Sequence, residues 1–498
     1  MKFLQKTGLT LLGALCLAGL EAAESRAQGA LVKQASAQFD QLAYQDAIDL
    51  YEKALADKTL SDAERLLAKL RLAYAYRQVR DSQKAEQLYR ELVSGGQVFS
   101  GEDANVYLYY AQALASNGKY RASQEAYDRY TKIQSEDARG QGFKKLYADV
   151  SKLARNADSY RVEYLSVNTN KPEFSPMFYK NGLVFCSGRG EGQGLKRVFN
   201  WDKSSFLDLY YLDDRNALEA STASGLGGSS KNGKERRYRR SRALGRDAYT
   251  APTANDSRIV GAFGGNQVTA GLGYADVPES ESDRFSKTLN TKYHEGPATF
   301  THDGHRVIFT RNNYNNGQYK ESSDKVNKLK LYTAVGKDGR WGKVEELPFN
   351  GEEFSTGHPT LTRDNKWMYF VSDRPGGQGG TDLYVVEFNN GTWGTPKSLG
   401  SKVNTKGNGL FPFVDERGNL YFSSDGHPGM GGSDLFFVEM QSGQPTGKVM
   451  NLGAPINSNH DDFGIITDGE RRSGYFSSNR KRGGADDDIY RFNRDGSL

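Results

Sequence analysis

Cysteine is almost missing from this chain, with 2 in 498 residues, Cys16 and Cys186. Cys16 lies in an N-terminal stretch with the layout of a secretory signal peptide. Lys2 and Lys6 precede the apolar run Leu9–Leu20, and small residues follow it up to Ser25-Arg26-Ala27. Leu15 stands where a small residue should precede a lipidated cysteine, so no lipid anchor is expected. After cleavage only Cys186 remains, and no intramolecular disulfide can form even in an oxidising compartment. The apolar run falls short of the ~20 residues of a membrane span, so no transmembrane segment is expected. There is no G-x-S-x-G nucleophile elbow. None of the 6 histidines has a metal-motif spacing such as H-E-x-x-H. These absences lead to the expectation of a non-enzyme with no cofactor and no metal.

Proline is also missing from the first third of the chain, where none stands before Pro172. From Gln34 to about Asn156 the composition is that of helices, rich in Ala, Leu, Gln, Lys and Tyr. Ala47, Tyr51 and Ala54 recur as Ala85, Tyr89 and Leu92 and as Ser123, Tyr127 and Tyr130, in steps of 38 residues. This resembles the tetratricopeptide repeat, in which small residues let two antiparallel helices approach while an aromatic ring fills the gap between repeats. The resemblance implies a concave groove lined by Tyr74, Arg77, Asn105 and Gln112.

Beyond Pro172, glycine, aspartate and aromatic residues take over, which is strand-and-turn chemistry. Ser372–Tyr384, Ser424–Phe436 and Ser478–Tyr490 repeat one glycine-rich loop between two β-rich runs, with Asp382, Asp434 and Asp488 spaced by 52 and 54 residues. That period fits the blades of a propeller. A second phrase, leucine followed closely by asparagine, ends at Asn168, Asn290, Asn350, Asn404 and Asn457, at intervals of 122, 60, 54 and 53. The first interval is about double the second, so a hidden boundary is inferred and the count becomes six blades, with Ser257–Phe263 as a strand of the hidden one. The last blade lacks an outer strand, and Tyr160–Ser166 has the alternation to supply it. The expected organisation is signal peptide 1–27, helical repeats 28–157 and a six-bladed β-propeller 158–498, an α + β multidomain protein.

The loop aspartates could bind a hard cation or cap their own turns; lying one per blade, they are assigned to turns. Gly228–Lys234 has phosphate-loop spacing, but Glu235 replaces the required Ser or Thr and no strand or helix frames it, so it is discarded. The run Lys231–Arg242 is the densest charge cluster. It reads as a solvated insertion, with an anionic partner as the alternative and no nucleic acid expected. His294, Glu295, His358, His460, Asp461 and Asp462 fall where innermost strands begin, so they are expected to ring the mouth of the central channel. His302 and His305 flank a turn and are expected at the surface.

Asn290–Thr299, Gly376–Tyr384, Asn451–Asn457, Asp461–Gly464 and Gly474–Arg480 together resemble the periplasmic OmpA-family proteins of Bacteroidetes. In these, tetratricopeptide repeats and a TolB-like propeller precede a regulatory-like domain and an OmpA-like peptidoglycan-binding domain. The sequence stops at Leu498, so peptidoglycan anchoring is not carried over. The resemblance implies a periplasmic location, peripheral to the outer membrane. It also implies a non-catalytic scaffold for protein–protein interactions with envelope proteins, the subunits of an outer-membrane or periplasmic complex such as the type IX secretion and gliding machinery. The alternative is a ligand-sensing propeller that binds glycan or peptidoglycan fragments at its central channel. Because Ser25-Arg26-Ala27 is the small-residue site after the apolar run, N-terminal sequencing of the exported protein should begin at Gln28 with no lipid; a modified Cys16 would refute this.

Overall fold

The computed structural model describes residues 29–154, 157–190, 199–223, 274–337, 339–481 and 487–494. The leader with Cys16, the Gly228–Lys234 loop, the Lys231–Arg242 run and the strand expected over Ser257–Phe263 lie outside the described residues.

The described residues begin as a stack of antiparallel helices: α1 (29–40), α2 (Tyr44–Leu55), α3 (Asp62–Gln78), α4 (Ser82–Ser94), α5 (Asn105–Ser116), α6 (Tyr120–Ile133) and α7 (Ala138–Tyr147). Ser61 opens α3 with a reciprocal capping box to Glu64, and Asp81 caps α4 by accepting from the Lys84 N–H. The 38-residue period is visible in the packing, because Ala47, Ala85 and Ser123 are buried where helices touch, and Tyr51, Tyr89 and Tyr127 fill the gaps. The period also marks the turns. Leu42, Arg80 and Gly118 all adopt left-handed backbone, at φ 59°, 60° and 71°. Each is followed by a residue whose N–H reaches back to the preceding helix: Ala43 to Gln38, Asp81 to Tyr76 and Lys119 to Leu114. Among the described residues, no helix is long and apolar enough to cross a membrane.

From Tyr160 onward the described residues form β-structure arranged as a five-bladed propeller, which corrects the six-blade count. The innermost strands are Glu173–Tyr179, Glu295–Phe300, Thr356–Leu361, Gly409–Val414 and Asp462–Thr467, and each neighbours the next around a closed ring. The fifth blade runs Asp462–Thr467, Ser473–Ser478, Asp488–Arg494 and then Tyr160–Leu165, with Ala220–Thr222 outside. Tyr160 pairs with Arg494 and Tyr164 with Tyr490, so the expected closing strand is present.

The five leucine–asparagine phrases explain the correct count. Asn168, Asn290, Asn350, Asn404 and Asn457 each hold one residue of the preceding blade's third strand, respectively Ile489, Leu209, Leu331, Leu383 and Leu435. The asparagine Oδ1 accepts that residue's N–H and its Nδ2 donates to that residue's carbonyl. There is one asparagine per blade. The long first interval is therefore an excursion within the first blade: between Asp208–Leu212 and the outer Asp283–Arg284 the chain leaves to add Ala220–Thr222 to the fifth blade.

Asn404 is buried, so Asn404→Ala would leave the Leu383 N–H and C=O enclosed without partners. The expected loss is about 2–3 kcal/mol, read as a lower denaturation midpoint; a loss below about 0.5 kcal/mol would remove the clasp from the account of the ring.

Candidate functional site

Three hollows lie along the propeller axis. In the centre, every innermost strand carries a bulge, and four of the five place proline in it: Pro176, Pro297, Pro359 and Pro412, with Ile465 in the fifth blade. The residues just before, Ser175, His358, Phe411 and Gly464, adopt left-handed backbone at φ 48–59°. These bulges lean into the channel and leave about 20 Å³, room for about one water.

At the mouth where innermost strands begin, the helical stack covers the ring. Arg80, held in the left-handed turn after α3, bonds through Nη1 to Asp461 at 2.9 Å and Asp487 at 3.3 Å. A loop of the first blade carries Trp201, whose indole donates to the Gln78 carbonyl and packs edge-on against Tyr44. The Asn459 amide donates to Ser116, and the Ala454 N–H donates to Leu153. Between the two parts remains a polar cavity of about 90 Å³, whose lining includes Arg77, Arg80, Gln112, Asp425, His460 and Asp461.

The structure thus brings four of the ten expected site residues into one cavity: Arg77 and Gln112 from the helices, His460 and Asp461 from the propeller. Arg77 donates to Gln112 Oε1, stands 3.8 Å from Asp425 and lies over the ring of Tyr109. Tyr74 belongs to an aromatic row with Phe39, Tyr44 and Tyr109 beside it. Asn105 begins α5 and does not line the cavity.

The remaining four lie apart. His294 is buried between Phe199 and Phe206, and its Nδ1 accepts from the Leu207 N–H. Glu295 and Asp462 are fully buried and ion-paired with Arg311 and Arg480; burial pushes the Glu295 carboxyl upward even beside its arginine. His358 faces the closed channel, stacked on Phe411, with Nδ1 accepting from the Phe411 N–H. Burial lowers the pKa of both His294 and His358 to about 3, and that of His460 in the same direction. The glycine-loop aspartates serve their turns: Asp382 accepts from the Gln378 N–H and Asp434 from Gly431. Among the described residues, no cluster of His, Cys, Asp or Glu is placed to hold a metal ion.

The opposite mouth opens into a bowl of about 670 Å³. Phe178, Phe300, Leu361, Phe413 and Tyr475 supply its apolar part, and Lys180, Arg215, His302, Arg363 and Glu416 its polar part. These polar residues come largely from the turns joining first and second strands, Lys180-Asn181, His302–Gly304, Arg363–Asn365 and Glu416–Gly418. Sequence reasoning placed His302 at the surface but missed the bowl. Five hairpin turns recurring at blade spacing were the available signal, since they must share one face of the ring.

No family model and no curated protein matches the chain. Among solved structures, a protein of unknown function from Dyadobacter fermentans is similar at 11% identity over 68% of this chain and 100% of its own, with a TM-score of 0.34. An α-L-arabinofuranosidase from Lactobacillus brevis is similar at 7% identity over 64% of this chain and 90% of its own, TM-score 0.31. A structure from a study of two prolyl endopeptidases is similar at 11% identity over 73% of this chain, TM-score 0.27; the chain spans 37% of its length. These likenesses concern the fold alone.

Three expectations are corrected. The family resemblance reduces to a helical region followed by a propeller, and the TolB-like, Bacteroidetes and type IX secretion assignments have no match behind them. The non-catalytic scaffold required a free helical groove, but the faces of α3 and α5 that would grip a partner carry the propeller instead. The exclusion of an enzyme rested on the missing serine elbow. Glycoside hydrolysis needs a pair of carboxylates and no such elbow, so the missing motif does not exclude catalysis and the exclusion is withdrawn.

The buried histidines give a pH test. An unfolded histidine takes up its proton near pH ~6.5, whereas folded His358 stays neutral down to about 3. Its contribution to stability is complete above that unfolded value and is lost as pH falls through the window. His358→Asn keeps an acceptor at a residue type that tolerates left-handed backbone. Its melting temperature should fall less between neutral pH and mild acid than that of the parent; an identical fall would contradict the buried neutral imidazole.

Proposed function

We propose that the propeller binds a glycan fragment in the bowl at its open mouth. The observation that carries this reading is the asymmetry of the two mouths: one is covered by the helical stack, and the other opens into the larger hollow. The bowl's volume falls within the ~300–1,000 Å³ of small-molecule sites. Its composition supports a sugar. A sugar ring has an apolar C–H face and a rim of hydroxyls, and the bowl sets ring surfaces (Phe178, Phe300, Phe413, Tyr475) beside hydrogen-bonding side chains. The leader-like N-terminus supports export to the periplasm, where a protein peripheral to the outer membrane would meet wall and surface glycans.

Calorimetric titration with a panel of neutral and acidic oligosaccharides tests the reading. Arg363 and Glu416 are exposed on separate turns. Arg363→Ala and Glu416→Ala should each weaken the bound glycan about tenfold, the order expected for one charge-assisted hydrogen bond. No binding across the panel, or full affinity in both variants, would remove the bowl as the site.

A further inference from the structure

The bowl does not end at its rim. Between the first and second blades lies a second hollow of about 420 Å³, lined by Tyr179, His305, Arg340 and Trp341 and by Lys180 and His302, which also line the bowl. The two hollows therefore meet at a pair of shared side chains, and a continuous aromatic wall runs beneath. Phe300 of the bowl lies 4.4 Å from Tyr179 and 6.1 Å from Trp341, ring centre to ring centre. Gly336 keeps the Trp341 side of this groove flat, because a Cβ there would sit 3.0 Å from the indole.

Charge distinguishes among chains that could lie in such a groove. Apart from the exposed Glu416, the carboxylates around the two hollows are committed to their own turns. Asp415 accepts from the N–H groups of Arg417 and Asn419, Asp468 from those of Glu470, Arg472 and Ser473, and Asp303 from the His305 N–H and the Thr301 hydroxyl. Arg491 is paired with Glu163. Lys180, Arg215 and Arg363 have no carboxylate partner among the described residues, and Arg340 adds a further cation in the groove. Cations in excess of available carboxylates select an anionic ligand.

We infer that the bound glycan is a linear acidic chain that leaves the bowl between Lys180 and His302 and continues along the groove beside Trp341. This rests on the bowl being a glycan site and adds the ligand's length and charge. A polypeptide is disfavoured because the two hollows supply ring faces and side-chain polar groups rather than an open strand edge on which a peptide backbone would pair.

The test is a titration series with oligogalacturonates of two to eight residues, malto-oligosaccharides of equal length and a polyglutamate peptide of equal charge. Affinity for the acidic sugars should rise at least about tenfold from dimer to octamer and fall with added salt. Arg340→Glu, a change in an exposed groove residue, should abolish the gain with length while leaving the dimer unaffected. Acidic dimers that bind with no gain at greater length, or neutral chains that bind equally well, would overturn the inference and leave the bowl as a glycan site. Polyglutamate binding as tightly as the octamer would overturn it in favour of an acidic polypeptide. If no sugar of either kind binds, the inference and the reading beneath it both fall.

Discussion

The ring depends on one pairing between distant parts of the chain. Tyr160–Tyr164 lies antiparallel to Tyr490–Arg494, joining the segment just after the helices to the segment at the far end of the propeller. Without it the fifth blade would present the long edge of Asp488–Arg494, and such edges invite pairing with other chains. Asn168 follows within three residues of the closing strand and clasps Ile489 in the same blade. The helices adjoin this closure in the chain but are held to the ring by their own contacts. They run into the closing strand through a short connector, and the Leu153 carbonyl in that connector holds the Ala454 N–H between the fourth and fifth blades.

Around that closure the blades repeat one device. The carbonyl just before each clasping asparagine receives a bond from a basic side chain near the end of a second strand: Arg189 to Val167, Arg311 to Leu289, Arg374 to Phe349, His427 to Val403 and Arg480 to Ile456. The asparagine serves the blade before and the basic residue the blade after, so each joint is tied from both sides. Buried polar groups cost stability unless fully bonded. At these joints the bonds are supplied by side chains that recur at similar sequence spacing, which is why the phrases recur in the chain. Three of the joints add a buried ion pair, Glu173–Arg189, Glu295–Arg311 and Asp462–Arg480.

Much of this was legible because repetition in space requires repetition in sequence. The 38-residue step placed Ala47, Ala85 and Ser123 at helix contacts, and the asparagines marked every blade joint. The blade count failed where an interval was divided arithmetically, because spacing does not distinguish a hidden blade from an excursion that donates an edge strand elsewhere. The site was less legible for a different reason. Arg77 and Gln112 were read as a groove and His460 and Asp461 as a mouth, and that these face each other depends on rigid-body docking through Arg80. Arg80 occupies the turn position that Gly118 fills one repeat later, so its left-handed backbone was hidden behind an ordinary arginine.

The closed channel separates the two faces. Proline cannot donate to a ladder, and in the middle of a sheet it is found at bulges. Four of the five innermost strands bulge at proline, and the residues before three of these are forced into left-handed backbone. Each bulge turns a pair of residues toward the axis, and together they fill it to about 20 Å³. A ligand in the bowl therefore cannot thread through to the helices. The blade joints are buried and doubly bonded, so the propeller holds its shape around the open bowl.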